Sequence, residues 1–88
     1  MPAYRVEVQR SAERDLERLS PRLFERIADR LTRLAADPRP ANAEKLVGLE
    51  AYRLRVGDHR VVYEVDDRAR LIVVTRVRHR RDVYRRLK

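Results

Sequence analysis

The stretch Tyr52-Arg53-Leu54-Arg55-Val56-Gly57-Asp58-His59-Arg60-Val61-Val62-Tyr63 constrains this chain more than any other. Apolar and charged residues alternate up to a Gly-Asp pair and resume after it. That pattern predicts two half-buried strands joined by a two-residue turn, with glycine supplying a positive φ at the first turn position. A loop of that length sets the register: Val56 opposes His59, and Arg55 opposes Arg60. Arg53, Arg55 and Arg60 then project from one face, and Tyr52, Leu54, Val61 and Tyr63 from the other. One face is a core, and the other gathers guanidinium groups. Like charges directly opposite one another destabilise a sheet, so the cluster points to an anionic ligand.

The remaining segments build around this hairpin. Tyr4 to Gln9 alternates and reads as a first strand. Ser11 is expected to cap a helix that presents Ala12, Leu16 and Leu19. Ser20-Pro21 starts a second helix, with Leu23, Phe24, Ile27, Ala28, Leu31, Leu34 and Ala35 forming one stripe. Asp37-Pro38-Arg39-Pro40 ends it, and a connection runs to Gly48. Beyond the hairpin, Asp66 to Ala69 reads as a turn and Arg70 to Val77 as the last strand, and Asp82 is positioned to cap a short helix over 83–87. The expected fold is α+β: two N-terminal helices packed on one face of a mostly antiparallel four-stranded sheet, in the order β-α-α-β-β-β, with a short C-terminal helix. At 88 residues without internal repeats, residues 1–88 are expected to form a single domain.

Arg76 and Arg78 join the arginine face only under one condition. A second turn with an odd number of residues, such as Asp67-Arg68-Ala69, brings Arg60, Arg76 and Arg78 together. An even turn puts Arg60 and Arg76 on opposite faces. The pattern leaves both open.

Charge is distributed unevenly. Residues 1–52 carry ten Lys/Arg against nine Asp/Glu, whereas residues 53–88 carry twelve against five. Twenty of the 22 basic residues are arginine, the side chain suited to bidentate contact with phosphate or carboxylate. A polyanion met by the second half is the natural partner. The absence of cysteine excludes disulfides, thiolate metal sites and a cysteine nucleophile. Asp66-Asp67, Glu64 and Asp58 do not converge as a metal site would require, so no metal is expected. The opening turns polar too early for a signal peptide, and Leu71 to Val74 is too short to span a bilayer, so a cytoplasmic, membrane-free protein is expected.

Several pieces in order, at this length, resemble the RelE branch of the RelE/ParE superfamily of type II toxins. They are the first strand, the helix pair, Lys45-Leu46 with Gly48, Tyr52-Arg53-Leu54-Arg55, Arg60-Val61-Val62-Tyr63, and the terminal run from Arg76 to Arg86. The resemblance implies a metal- and cofactor-independent mRNA endonuclease acting in the ribosomal decoding site. It also implies a cognate RelB-like antitoxin, in a heterodimer or heterotetramer. By position, Arg60 and Arg78 match arginines at the scissile phosphate, and Tyr84 matches the tyrosine of the C-terminal helix, making these three the catalytic candidates. Arg53 and Arg55 match basic strand residues that are often lysine in the family. With Arg76, His79, Arg80 and Arg81 they form the RNA-binding set. The alternative from another class is a ParE-like inhibitor of DNA gyrase without nuclease activity.

Cleavage of RNA by its own 2′-hydroxyl needs an acceptor for the 2′-proton, stabilisation of the phosphorane and a proton for the 5′-oxygen. Arginines suit the second task. They are poor bases, being protonated below a pKa of about 12, so Arg53 and Arg55 do not replace a lysine base. Tyr84, able to align or deprotonate the 2′-hydroxyl if surrounding arginines lower its pKa, and His79, with a reference pKa near 6.5, are the remaining candidates.

Overall fold

A computed structural model of the chain describes residues 3–46 and 50–79. Strand β1 (Arg5–Val8) leads into helices α1 (Arg10–Glu17) and α2 (Pro21–Leu34), and strands β2 (Ala43–Lys45), β3 (Ala51–Val56), β4 (His59–Asp66) and β5 (Leu71–His79) follow. They form one sheet in the order β1-β5-β4-β3-β2. This corrects the expected four-stranded, mostly antiparallel sheet on two counts. Ala43–Lys45, expected within a connection, is a fifth strand, pairing antiparallel with β3 so that Glu44 faces Arg53. The sheet is also mixed, because β1 lies parallel to β5 with Val6 opposite Ile72 and Val8 opposite Val74. Ile72 and Val74 are fully buried, and β1 covers the side of β5 that β4 leaves open. The short helix expected over 83–87 lies outside the described residues.

Local chemistry accounts for the helix boundaries. At the start of α2 the Ser20 hydroxyl accepts from the Leu23 N–H at 3.3 Å, with Pro21 at the first position. Helix α1 begins earlier than expected: Gln9 is its N-cap, and the Ser11 hydroxyl donates to the Thr75 carbonyl at 2.7 Å. Ala12, Ile27, Leu31 and Leu34 from the helices pack on Tyr52, Leu54, Val56, Val61, Tyr63, Val65, Ile72, Val74 and Val77 from the sheet. Phe24, counted in the expected stripe, sits at its margin and is 45% exposed. At one end of the sheet Arg39 forks onto Asp67 at 2.9 and 3.2 Å and donates to the Tyr52 hydroxyl at 2.7 Å. The Tyr63 hydroxyl, its pKa pushed up mainly by burial, donates to the Pro38 carbonyl at 2.7 Å. The exit of α2 is thereby tied to the β4–β5 turn.

The two turns behave differently. Gly57 has φ +61° and the first hairpin pairs as expected, Val56 with His59 and Arg55 with Arg60. In the second hairpin Asp66 opposes Leu71, leaving a four-residue turn, 67–70, an even number. Parity alone would then separate Arg60 from Arg76. A register shift intervenes: Tyr63 opposes Val74 but Val62 opposes Arg76, and Thr75 is the extra residue of a β-bulge. Ile72, Val74 and Val77 are all buried, and their spacing of two and then three residues puts all of them on the core side only if one residue slips out of the ladder.

Candidate phosphate-binding site

The bulge brings the arginines into register on the sheet face opposite the helices. Arg55, Arg60 and Arg78 are cross-strand partners on β3, β4 and β5, and so form a row. A second row runs Glu44, Arg53, Val62, Arg76. Neighbours in such rows have Cβ atoms about 5 Å apart, close enough for several guanidinium groups to meet one phosphodiester.

Each arginine is held differently. Arg60 is buried, 7% exposed, with Nη1 donating to the His59 carbonyl at 3.1 Å and the Gly57 carbonyl at 3.4 Å. The tight turn that aligns the strands thus also orients this side chain. Arg53 pairs with Glu44 at 3.1 Å. Arg55 is exposed, and its carbonyl accepts from Asn42 Nδ2 at 3.2 Å. Arg53, Arg55, Arg60, Asn42 and Glu44 share a cleft of about 250 Å³. Arg76 and Arg78 start on the same face but reach round the edge of β5 to Asp15 on α1. Arg76 donates to its two carboxylate oxygens at 3.0 and 3.3 Å, and Arg78 Nε lies 3.5 Å away.

His79 has a different placement. It opposes His59 across β4 and β5, with ring centroids 5.5 Å apart and edge-to-face. Both line a small pocket with Asp15, Arg18 and Arg78 at the edge of the sheet, away from the Arg53–Arg60 cleft. Tyr84, Arg80 and Arg81 lie outside the described residues. The structure therefore assembles Arg53, Arg55 and Arg60 in one cleft and aligns Arg76 and Arg78 beside them.

Sequence reasoning missed Glu44, Asn42 and Asp15. Nothing local marks the first two, since a three-residue strand shows no periodicity. Asp15 carries a signal: three residues after Ala12 and four before Leu19, it puts a carboxylate within the apolar stripe expected of the first helix.

A family model described as the ParE toxin of the type II toxin–antitoxin system parDE matches residues 6–84. The chain belongs to the RelE/ParE family of type II toxins. Toxin RelG of Mycobacterium tuberculosis is 34% identical over 88 residues, covering 94% of this toxin and 98% of that protein. Among solved structures, the toxin–antitoxin complex RelBE2 of Mycobacterium tuberculosis superposes with a TM-score of 0.79 at 28% identity, covering 88% of this toxin and 98% of the matched chain. The intact RelBE complex of Escherichia coli gives 0.77 at 26% identity, covering 88% and 96%.

Proposed function

We propose that this toxin is a ribosome-dependent mRNA endonuclease, an mRNA interferase that cleaves by attack of a 2′-hydroxyl on the adjacent scissile phosphate. The observation that carries this reading is the row of Arg55, Arg60 and Arg78 across three strands. Such a row, only partly offset by Asp15 beside Arg78, is matched to a phosphorane, which carries more negative charge than the ground-state diester. Arg60, already held by two carbonyls, needs no reorganisation when that charge develops, and Arg78 approaches from β5. Donors preorganised in this way are typically the largest electrostatic contribution to such a step. Arg53 and Arg55 bind the flanking backbone, with Arg80 and Arg81 assigned to the same RNA-binding set; Arg76, forked onto Asp15, and His79, set against His59 at the sheet edge, stand outside the cleft.

In the reaction the 2′-oxygen bonds to phosphorus and its proton passes to a base. The P–O5′ bond then breaks, and the 5′-oxygen takes up a proton, leaving a 2′,3′-cyclic phosphate. Tyr84 is the group assigned to align or deprotonate the 2′-hydroxyl. No metal or cofactor enters this scheme.

A cognate RelB-like antitoxin completes the proposal, in a heterodimer or heterotetramer in the cytoplasm. It is supported by the similarity to the RelBE2 and RelBE complexes and by the charge of a face that a partner would cover. A second reading, inhibition of DNA gyrase without cleavage, is favoured by the ParE description of the matched family.

The test is a reconstituted ribosome programmed with mRNA, with cleavage measured for the parent, Arg60→Ala, Arg78→Ala and Tyr84→Phe. Each arginine variant is expected to lose about a hundredfold or more in single-turnover rate, with a native circular dichroism spectrum. Gyrase inhibition without cutting transfers the assignment to the second reading. Parent-like cutting by all three variants removes the site.

A further inference from the structure

Asp15 and Arg60 are the buried charged residues among the described part of the chain, at 6% and 7% exposure. Arg60 has a place in the chemistry; Asp15 stands outside the arginine cleft. It lies on α1 beside β5, beyond the point where β1 stops pairing. There one carboxylate oxygen accepts from the Val77 N–H at 2.9 Å, one turn along the helix from the Ser11–Thr75 bond. Those two contacts close the free edge of β5, and an asparagine at position 15 would serve the first equally well.

The arginine contacts are another matter. Arg76 and Arg78 stand on the face of the second hairpin that carries Arg60, and Arg78 is directly opposite Arg60. Without a nearby negative charge, two opposed guanidinium groups drive each other apart. Asp15 supplies that charge. It forks Arg76, engaging both Nε and Nη2, and draws Arg78 Nε to 3.5 Å, at ion-pair distance but without hydrogen-bond geometry. Arg76 is occupied by the fork, while Arg78 is held by charge, its Nε buried beside the carboxylate.

We propose that Asp15 is a positioning residue of the phosphate site, holding Arg78 on the β5 side so that a phosphodiester is gripped between it and Arg60. The proposal rests on the endonuclease reading. Its physical basis is preorganisation: the repulsion within the row is offset before RNA arrives, so it need not be overcome in the transition state.

Asp15→Asn keeps an acceptor for the Val77 N–H and removes the charge. On programmed ribosomes its single-turnover cleavage is expected to fall about tenfold to a hundredfold, the size of effect that follows from an ångström-scale misplacement. The concentration giving half-maximal rate should not rise, because the variant is more positive by one charge. A merely structural role predicts instead a rate that returns to the parent's after correction for the unfolded fraction, and that result overturns the proposal, as does a parental rate. Hydrogen exchange of the Arg76 and Arg78 Nε–H groups, read by NMR on the free toxin, provides a readout independent of activity. Slow exchange in the parent and fast exchange in Asp15→Asn support the positioning; equal exchange overturns it. If the parent itself does not cut, the endonuclease reading fails, and the exchange measurement alone decides whether Asp15 holds Arg78.

Discussion

Asp67 collects the Arg39 fork and the Tyr4 hydroxyl on one carboxylate, linking the chain before β1, the exit of α2 and the β4–β5 turn. The Arg39 hydrogen bonds, followed by that of Tyr4, hold its carboxyl below the ordinary value of 3.8. The same bond to Asp67 pushes the Tyr4 phenol upward. A depressed folded-state pKa fixes the sign of the linkage. The stabilisation is complete above the unfolded value and is lost as the pH falls through the lower folded one. The urea midpoint of the parent should therefore exceed that of Asp67→Asn at neutral pH, with the gap closing as the pH drops below 3.8. A gap independent of pH would contradict this. Nothing in the sequence around Asp67 announces the cluster, because Tyr4, Arg39 and Asp67 meet only when three separate segments arrive at one corner.

At the level of elements, the first hairpin is legible in the sequence and the second is not. Gly57 at φ +61° is required by the two-residue turn. An added Cβ would meet Arg26 Nη1 at 3.6 Å, an ordinary contact, so the penalty for Gly57→Ala lies in the backbone. It should cost about 1–2 kcal/mol, measured by urea unfolding, and should loosen Arg60, whose Nη1 rests on the turn carbonyls. An unchanged midpoint would show that the turn relaxes without cost. The second hairpin depends on Thr75, whose hydroxyl donates to the Val62 carbonyl at 3.2 Å and whose carbonyl accepts from Ser11. The residues Ile72, Val74 and Val77 held the clue in their broken alternation. Strand β2 offered no clue, since Ala43, Glu44 and Lys45 show neither alternation nor β-branched residues.

Taken as a whole, the sheet has two unlike faces: helices and core cover one, and Arg53, Arg55 and Arg60 line a cleft on the other. If the exposed side meets single-stranded message, affinity for ribosome-bound mRNA should fall steeply with salt. Each guanidinium that neutralises a phosphate adds about 0.7 to the log–log slope. Arg55→Gln, at an exposed position, is expected to reduce the slope by about that amount with little change in stability; an unaltered slope would place Arg55 outside the RNA path. By itself the sequence determined the helix pair, the central hairpin with its register, and a face carrying Arg53, Arg55 and Arg60, because those follow from local periodicity and turn chemistry. The parallel pairing of β1 with β5, the fifth strand, the bulge that aligns Arg78 with Arg60, and the capture of Arg76 by Asp15 were decided by tertiary structure. Each joins segments far apart in the chain, and which partner a strand edge or buried carboxylate finds depends on what the packed core brings within a few ångströms of it.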